Sequence, residues 1–171
     1  MNLITKNIVR FFVVVLIQSL VLNQIELGFG IHFMLQPLLI MMLPFELSVV
    51  WMMLFAFLSG FVMDIFANTY GLSASAMIMM AFARPSIFKM FSPREGYDPL
   101  KEPNISDMGT NWFLTVFSLL VAIHHFWYFL IEIFSFSDFL FVLQNTVLSG
   151  FTTIVISLLA QTFMIERAKT K

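Results

Sequence analysis

Six apolar runs follow one another along this chain, at 8–22, 29–43, 49–66, 72–91, 112–134 and 139–164. Short breaks rich in polar residues, glycine or proline separate them. A helix crossing a bilayer needs about 20 mainly apolar residues, with a range of about 17–25. The fifth and sixth runs meet that length easily. The second is short and contains Gln36-Pro37, which makes it the weakest candidate for a spanning helix.

The distribution of basic residues sets the parity of the crossings. With six spans and the N-terminus in the cytoplasm, Lys6 and Arg10 lie inside, as do Arg84, Lys89, Arg94 and Lys101 around the fourth-to-fifth connection and Arg167, Lys169 and Lys171 in the tail. All nine basic residues then fall on the cytoplasmic side, as the positive-inside rule requires. Removing the second span would move the four central ones outside. The outward connections become "NQIELG", "ANTYG" and "SFSD", which are short and acidic or neutral. One sizeable loop, at about 92–111, is left in the cytoplasm; it carries three prolines and mixed charge. The chain therefore reads as a single domain over 1–171, all-α, with six transmembrane helices and both termini cytoplasmic.

Composition agrees with the bilayer as solvent. The chain is 60% hydrophobic and 11% charged, against roughly 25% charged in soluble domains, and its mean hydropathy is +0.92. A net charge of −1 offers no basic face for nucleic acid. With no cysteine there is no disulfide, thiol nucleophile or thiolate metal site. The first run follows basic residues as a signal peptide would, but no small-residue cleavage site comes after it, so it reads as a retained span.

Few residues could carry chemistry. Asp64 falls in the last turn of the third run, near the outer surface. A helix C-terminus is the wrong end of the dipole for an anion, which points to a specific partner, and the structural reading is a hydrogen-bonded Asp that ends the helix. Asn68 lies one turn on, and Thr69-Tyr70-Gly71 reads as a tight turn. Gly60, with Ser59, and the small residues from Gly71 to Ala76 allow the third and fourth helices to approach closely. Arg84 precedes Pro85 toward the cytoplasmic end of the fourth run. Snorkelling to the headgroups is the expectation for the arginine, and a kink is the expectation for the proline. Lys89 and Arg94 extend a basic side suited to anionic membrane lipid.

His124-His125 sit near the middle of the fifth run. Neighbouring helical residues point about 100° apart, unlike the i, i+4 histidines of helix-borne zinc sites. Glu132 is two turns away and His32 is expected on another helix, so hydrogen-bonded neutral histidines are the reading. Gln18, Gln36, Gln144, Asn145 and Gln161 read as glue between helices. There is no Gly-rich phosphate loop, Gly-x-Ser-x-Gly, His-Glu-x-x-His or dyad in a span. No cofactor, metal or catalytic residue is assigned, and the chain is expected not to be an enzyme.

The order of features resembles the rod shape-determining protein MreD family, most closely its Bacteroidetes-type members. The resemblance rests on "RFFVVVLIQSLVLNQIEL", "WMMLFAFLSGFVMDIFANTYGLSASAMIMMAFARPSIF", Gly60-x-x-x-Asp64, the turn to Gly71-Leu72, and Ala83-Arg84-Pro85. It implies a fold similar to the substrate-binding subunits of energy-coupling-factor transporters. It also implies a non-enzymatic subunit of the bacterial inner membrane that works in cell shape and lateral peptidoglycan synthesis. Its partners would be an MreC-like bitopic protein, a RodA-type glycosyltransferase with its transpeptidase and, indirectly, the MreB filament. Gly60, Asp64, Asn68, Gly71, Arg84 and Pro85 are then candidate interface or structural residues. The alternative is the substrate-specific subunit of a small-molecule, vitamin-type transporter, with amides and histidines lining a pocket open to the outside.

Overall fold

The computed structural model describes residues 3–25, 30–135 and 137–169, with side chains from 5 to 162 of these. All regular structure among them is helical: α1 (Leu3–Leu20), α2 (Pro37–Met41), α3 (Val49–Ala67), α4 (Leu72–Met90), α5 (Ile105–Met108), α6 (Thr110–Ile133) and α7 (Phe139–Lys169), with a 3-10 turn at Leu22–Gln24. Four stretches are long and apolar enough to cross a membrane: Thr5–Gln24, Val49–Ala67, Thr110–Ile133 and Phe139–Thr162. The basic tail residues Arg167, Lys169 and Lys171 fall outside the described side chains, and so does Phe29, where the second run begins.

On α3 and α7 the polar side chains turn inward, into a core that is otherwise apolar, and large apolar side chains turn outward. On α7 the positions most withdrawn from the surface include Asn145, Ser149, Thr153, Ser157 and Gln161, while Leu140, Val147, Phe151 and Leu159 are exposed. On α3, Asp64 and Ser59 are buried, and Val50, Trp51 and Ile65 are exposed. In water this arrangement would leave large apolar faces uncovered. In hydrocarbon it is the stable one, since intramembrane polar groups turn to the bundle interior. Together with the long apolar helices, it marks a helical membrane protein.

α4 is as long as α3 but less apolar, because it lies in the middle of the bundle. It packs against α3, α6 and α2, and its buried positions are mostly Ala, Ser and Met. Small side chains let the neighbouring backbones come close.

The second run is not the helix expected of it. Only Pro37–Met41 is helical, with Pro37 at its first position, where its missing N–H costs nothing. Residues 32–35 have no regular structure. The stretch nevertheless runs alongside α7. The His32 N–H donates to Ser149 Oγ at 3.0 Å, and the Met34 N–H to Thr153 Oγ1 at 3.3 Å. Farther on, Gln161 Nε2 reaches Met42 Sδ at 3.2 Å. Because Gly30 lies against Asn145, the path follows α7 from residue 145 to 161, about 24 Å at the helical rise of 1.5 Å per residue. Non-helical backbone is tolerated at membrane depth only where protein or a water-filled cavity covers it. Here polar side chains cover it. Gln18 completes the clamp from α1, accepting from the Leu35 N–H at 2.6 Å and donating to the Phe33 carbonyl at 2.7 Å.

Candidate functional site

The six candidate residues fall into two groups, one at the α3–α4 hairpin and one toward the C-terminal end of α4, about 16 Å apart along the α4 axis. The outer group is built around Asp64. Its Oδ1 accepts from Thr69 Oγ1 at 2.5 Å and from the Ser73 N–H at 2.8 Å, and its Oδ2 accepts from the Ala74 N–H at 3.0 Å. Ser73 and Ala74 are in the first turn of α4, where N–H groups have no intrahelical acceptor. The carboxylate therefore ends one helix and caps the next, and the dipole it meets is the positive end of α4. The chain reverses between them through Asn68, left-handed at φ 59°, and Gly71 at φ 86°. Asn68 closes α3, its N–H donating to the Asp64 carbonyl.

Gly60 makes this contact possible. A Cβ there would lie 2.5 Å from Ala74 Cα and 2.7 Å from Ala74 N, closer than atoms can approach. The first turn of α4 rests directly on the backbone of α3. Gly60, Asp64, Asn68 and Gly71 are thus one unit, a close-packed helical hairpin with a buried carboxylate lock.

The inner group is Arg84 and Pro85. Arg84 does not snorkel: it is only 2% exposed, and its guanidinium donates to the carbonyls of Leu43, Met41 (3.3 Å) and Pro44 (3.5 Å). Those oxygens lie at and just past the C-terminus of α2, where a cation is favoured and carbonyls lack helical partners. Phe88 lies beneath the guanidinium, 4.1 Å from its carbon to the ring centroid, a cation–π contact. The snorkelling expectation failed because the acceptors become available only where α2 stops short, which is invisible as such in the sequence. α4 runs on through Pro85, which offers no N–H to the carbonyl four residues back.

His125 serves the same irregular stretch. His125 lies 3.1 Å from Thr153 Oγ1 through Nε2 and 3.0 Å from the Val121 carbonyl through Nδ1, joining α6 to α7. His124 is fully buried, and its Nε2 has no protein partner. His32 stands on the irregular stretch rather than on a helix, its ring 5.7–5.9 Å from those of Phe129 and Tyr128. Among the described residues, no group of three or more His, Asp or Glu is placed to hold a metal ion. Gln144 is exposed, whereas Gln18 and Gln161 contact the irregular stretch rather than join helix to helix.

Beside the Asp64 hairpin, a cavity of about 520 Å³ opens between the end of α1, residues 30–36, the α3–α4 turn and the end of α6. Its buried wall includes Gln18, Gln36, Met63 and Ser73, and its exposed rim includes Asn23, Gln24 and Glu132.

The opposite end is closed by aromatic stacking. Tyr97 lies flat on Phe45, with centroids 4.3 Å apart and planes 8° apart, and donates its hydroxyl to the Phe88 carbonyl at 2.8 Å. Trp112 Nε1 donates to the Phe91 carbonyl at 3.1 Å. The loop is also tied to α1, where Glu102 bridges Lys6 and Arg10, the latter at 2.6 Å. Burial pushes the Glu102 carboxyl up, but the hydrogen bonds and charges of Lys6 and Arg10 outweigh it and hold the group below its ordinary value.

Three features escaped the sequence reading. The polar ladder 145-149-153-157-161 repeats every four residues and was detectable as a periodicity. The Glu102 clasp and the convergence of His32 with Glu132 at one cavity carried no local signal. Compared with protein-family models, curated proteins and solved structures, the chain has no match.

Proposed function

We propose that this chain is a non-enzymatic scaffold in the bacterial inner membrane, an MreD-type subunit of the cell-elongation machinery. The observation that carries the reading is how its polar side chains are used. Asp64, Arg84, Gln18, Ser149 and Thr153 all bond to the protein's own backbone. They leave apolar outward faces on α1, α3 and α7 for lipid and partner helices. The residues of the resemblance, Gly60, Asp64, Gly71 and Arg84, fix the shape that presents those faces.

In this reading the chain crosses six times with both termini in the cytoplasm, the second crossing being the irregular stretch along α7. That stretch and α7 run in the same direction, which supports the parity given by the basic residues. The surface would hold the single span of an MreC-like protein and support a RodA-type glycosyltransferase with its transpeptidase, coupled indirectly to MreB. The test is mild-detergent affinity purification of the tagged chain from its own membrane, read by mass spectrometry. Recovery of a single-span coiled-coil protein with wall synthases is the expected result.

A second reading, the substrate-binding subunit of a small-molecule transporter, draws on the outer cavity. Its size suits a small ligand, and two of the amides line it. Recovery of an ATPase pair with a coupling subunit would select that reading and overturn the first.

A further inference from the structure

We infer that the His124–His125 pair is an acid-sensitive latch, which holds the irregular stretch to α7 while both rings are neutral and releases it when His125 gains a proton. The inference rests on hydrogen-bond geometry and holds under either reading of the partners.

The protons of the latch are assigned by their surroundings. The Val121 carbonyl, 3.0 Å from His125 Nδ1, can only accept, so that nitrogen carries the ring proton. Nε2 of the neutral ring is then bare and accepts from the Thr153 hydroxyl at 3.1 Å. The Thr153 oxygen accepts in turn from the Met34 N–H at 3.3 Å. Donation therefore runs one way, from the stretch through α7 to α6. His124 Nδ1 lies 3.4 Å from His125 Nδ1. Two N–H groups cannot face each other there, so His124 is bare at Nδ1 and carries its proton on Nε2, which has no partner among the described residues.

An added proton breaks this order wherever it lands. On His124 Nδ1 it would face the proton of His125. On His125 Nε2 it would meet the Thr153 hydroxyl head-on. That hydroxyl would have to turn away, and the carbonyl one turn back, Ser149, already accepts from Thr152 Oγ1 at 2.9 Å. The Thr153 oxygen would then face two donors, and the Met34 N–H is the one that can leave.

The charge would also be buried without a counter-ion, which is costly. Both rings are fully buried. The buried polar residues of α7 are uncharged, and the only charged one on α4 is Arg84. α2 has no titratable group, and Asp107, on α5, lies beyond the opposite end of α6. Both oxygens of Asp64, on α3, are taken by Thr69 and the first turn of α4. On α6 itself Tyr128 adds a hydroxyl, and Glu132 is two turns away on the cavity rim. His32, on the stretch, packs on Phe129 at 5.7 Å, and His125 packs on the same ring at 6.3 Å. A proton on His32, which lines the cavity, would thus add a second positive charge beside the first.

The experiment uses the full chain in lipid nanodiscs. With 15N-labelled histidine, NMR at neutral pH should show His125 protonated at Nδ1 and His124 at Nε2, assigned by comparison with H124Q and H125Q. Hydrogen exchange read by mass spectrometry then follows the peptide 30–36 from about pH 7.5 to about pH 4, through and past the histidine range, with intrinsic rates divided out. Protection there should fall at least about tenfold, in step with protonation of His125 in the NMR titration, while α6 stays protected. H125Q should remove the pH dependence and H32Q should keep it. T153V should exchange fast already at neutral pH. Constant protection in the parent chain, the same dependence in H125Q, its loss in H32Q, or equal deprotection of α6 would each overturn the proposal. If H125Q does not fold, the titration of the parent chain decides: a loss of protection that does not track the His125 signal overturns the latch.

Discussion

Asp64 offers the sharpest test of how the outer hairpin is held, because two substitutions of similar size separate hydrogen bonding from charge. Asp64→Asn keeps one oxygen, and Asn is among the best residues for capping a helix N-terminus. It loses the ion–dipole attraction, worth about 1–2 kcal/mol in partly buried settings, and turns one acceptor toward a donor. A cost of roughly 1–3 kcal/mol follows. Asp64→Leu removes both oxygens and leaves the Ser73 and Ala74 N–H groups buried with nothing to accept them. At about 1–3 kcal/mol per orphaned donor, plus the lost dipole interaction of about 1–2 kcal/mol, the cost is roughly 3–8 kcal/mol. The two variants should therefore differ at least tenfold in their folded-to-unfolded ratio. Reversible SDS unfolding in mixed micelles, followed by tryptophan fluorescence, measures the difference, and protein accumulated in the membrane should rank in the same order. Equal, severe loss in both variants would mean that the charge, not the hydrogen bonding, is what the site requires.

Gly60→Ala should destabilise by at least about 1–3 kcal/mol, the usual range for overpacking, since its Cβ meets the backbone of Ala74. Gly150→Ala, whose Cβ would meet Val121 Cγ1 at an ordinary 3.5 Å, should stay within about 1 kcal/mol of the parent; the same unfolding assay compares them. The Glu102 clasp predicts a pH response with a definite sign. Its folded-state carboxyl titrates below the ordinary value, so its contribution is complete above the ordinary carboxylate range and is lost as pH falls through the folded value. Hydrogen exchange of the 92–108 loop, corrected for intrinsic rates, should accelerate on that descent, and Glu102→Gln should remove the dependence. For topology, a cysteine at Asn68 should react with an impermeant maleimide from outside and one at Asp98 should not; the reverse pattern would refute the six-crossing arrangement.

The helices that meet apolar surroundings were legible in the sequence. Runs at 49–66, 72–91 and 112–134 correspond to α3, α4 and α6 to within two residues at either end, because hydropathy and the turn at Asn68–Gly71 report the same boundaries. The Gly60 and Asp64 pairing was legible too, since a small residue and an acid one turn apart bear on a single neighbour. The form of the second run was not. "IHFMLQPLLIMML" is as apolar as a spanning helix, and apolarity reports burial rather than backbone conformation. What distinguishes it lies elsewhere in the chain, in Gln18 and in the ladder on α7 that receive its N–H groups. Arg84 was misread for the same reason, since its acceptors at 41, 43 and 44 become available only once α2 stops short.

Those two misreadings have one physical origin. A helix satisfies its own backbone, so it needs nothing polar from its neighbours. An irregular crossing must borrow donors and acceptors along its length. This chain supplies them at three depths: Gln18 and Ser149 toward the outer end, Thr153 farther in, and Arg84 at the inner end, where the last carbonyls of α2 emerge. His125 shares Thr153 with that stretch, which ties α6 into the arrangement. Gln18, Arg84, His125, Ser149 and Thr153 are thereby accounted for by one structural requirement. The exceptions gather attention by contrast. Among the described residues, buried side-chain atoms without a protein partner lie along the same path, at Gln36 Oε1, Asn145 Oδ1, Ser157 Oγ and Arg84 Nε. The irregular stretch is thus held through selected backbone N–H and carbonyl groups, and a polar residue placed beside it is not thereby fully satisfied.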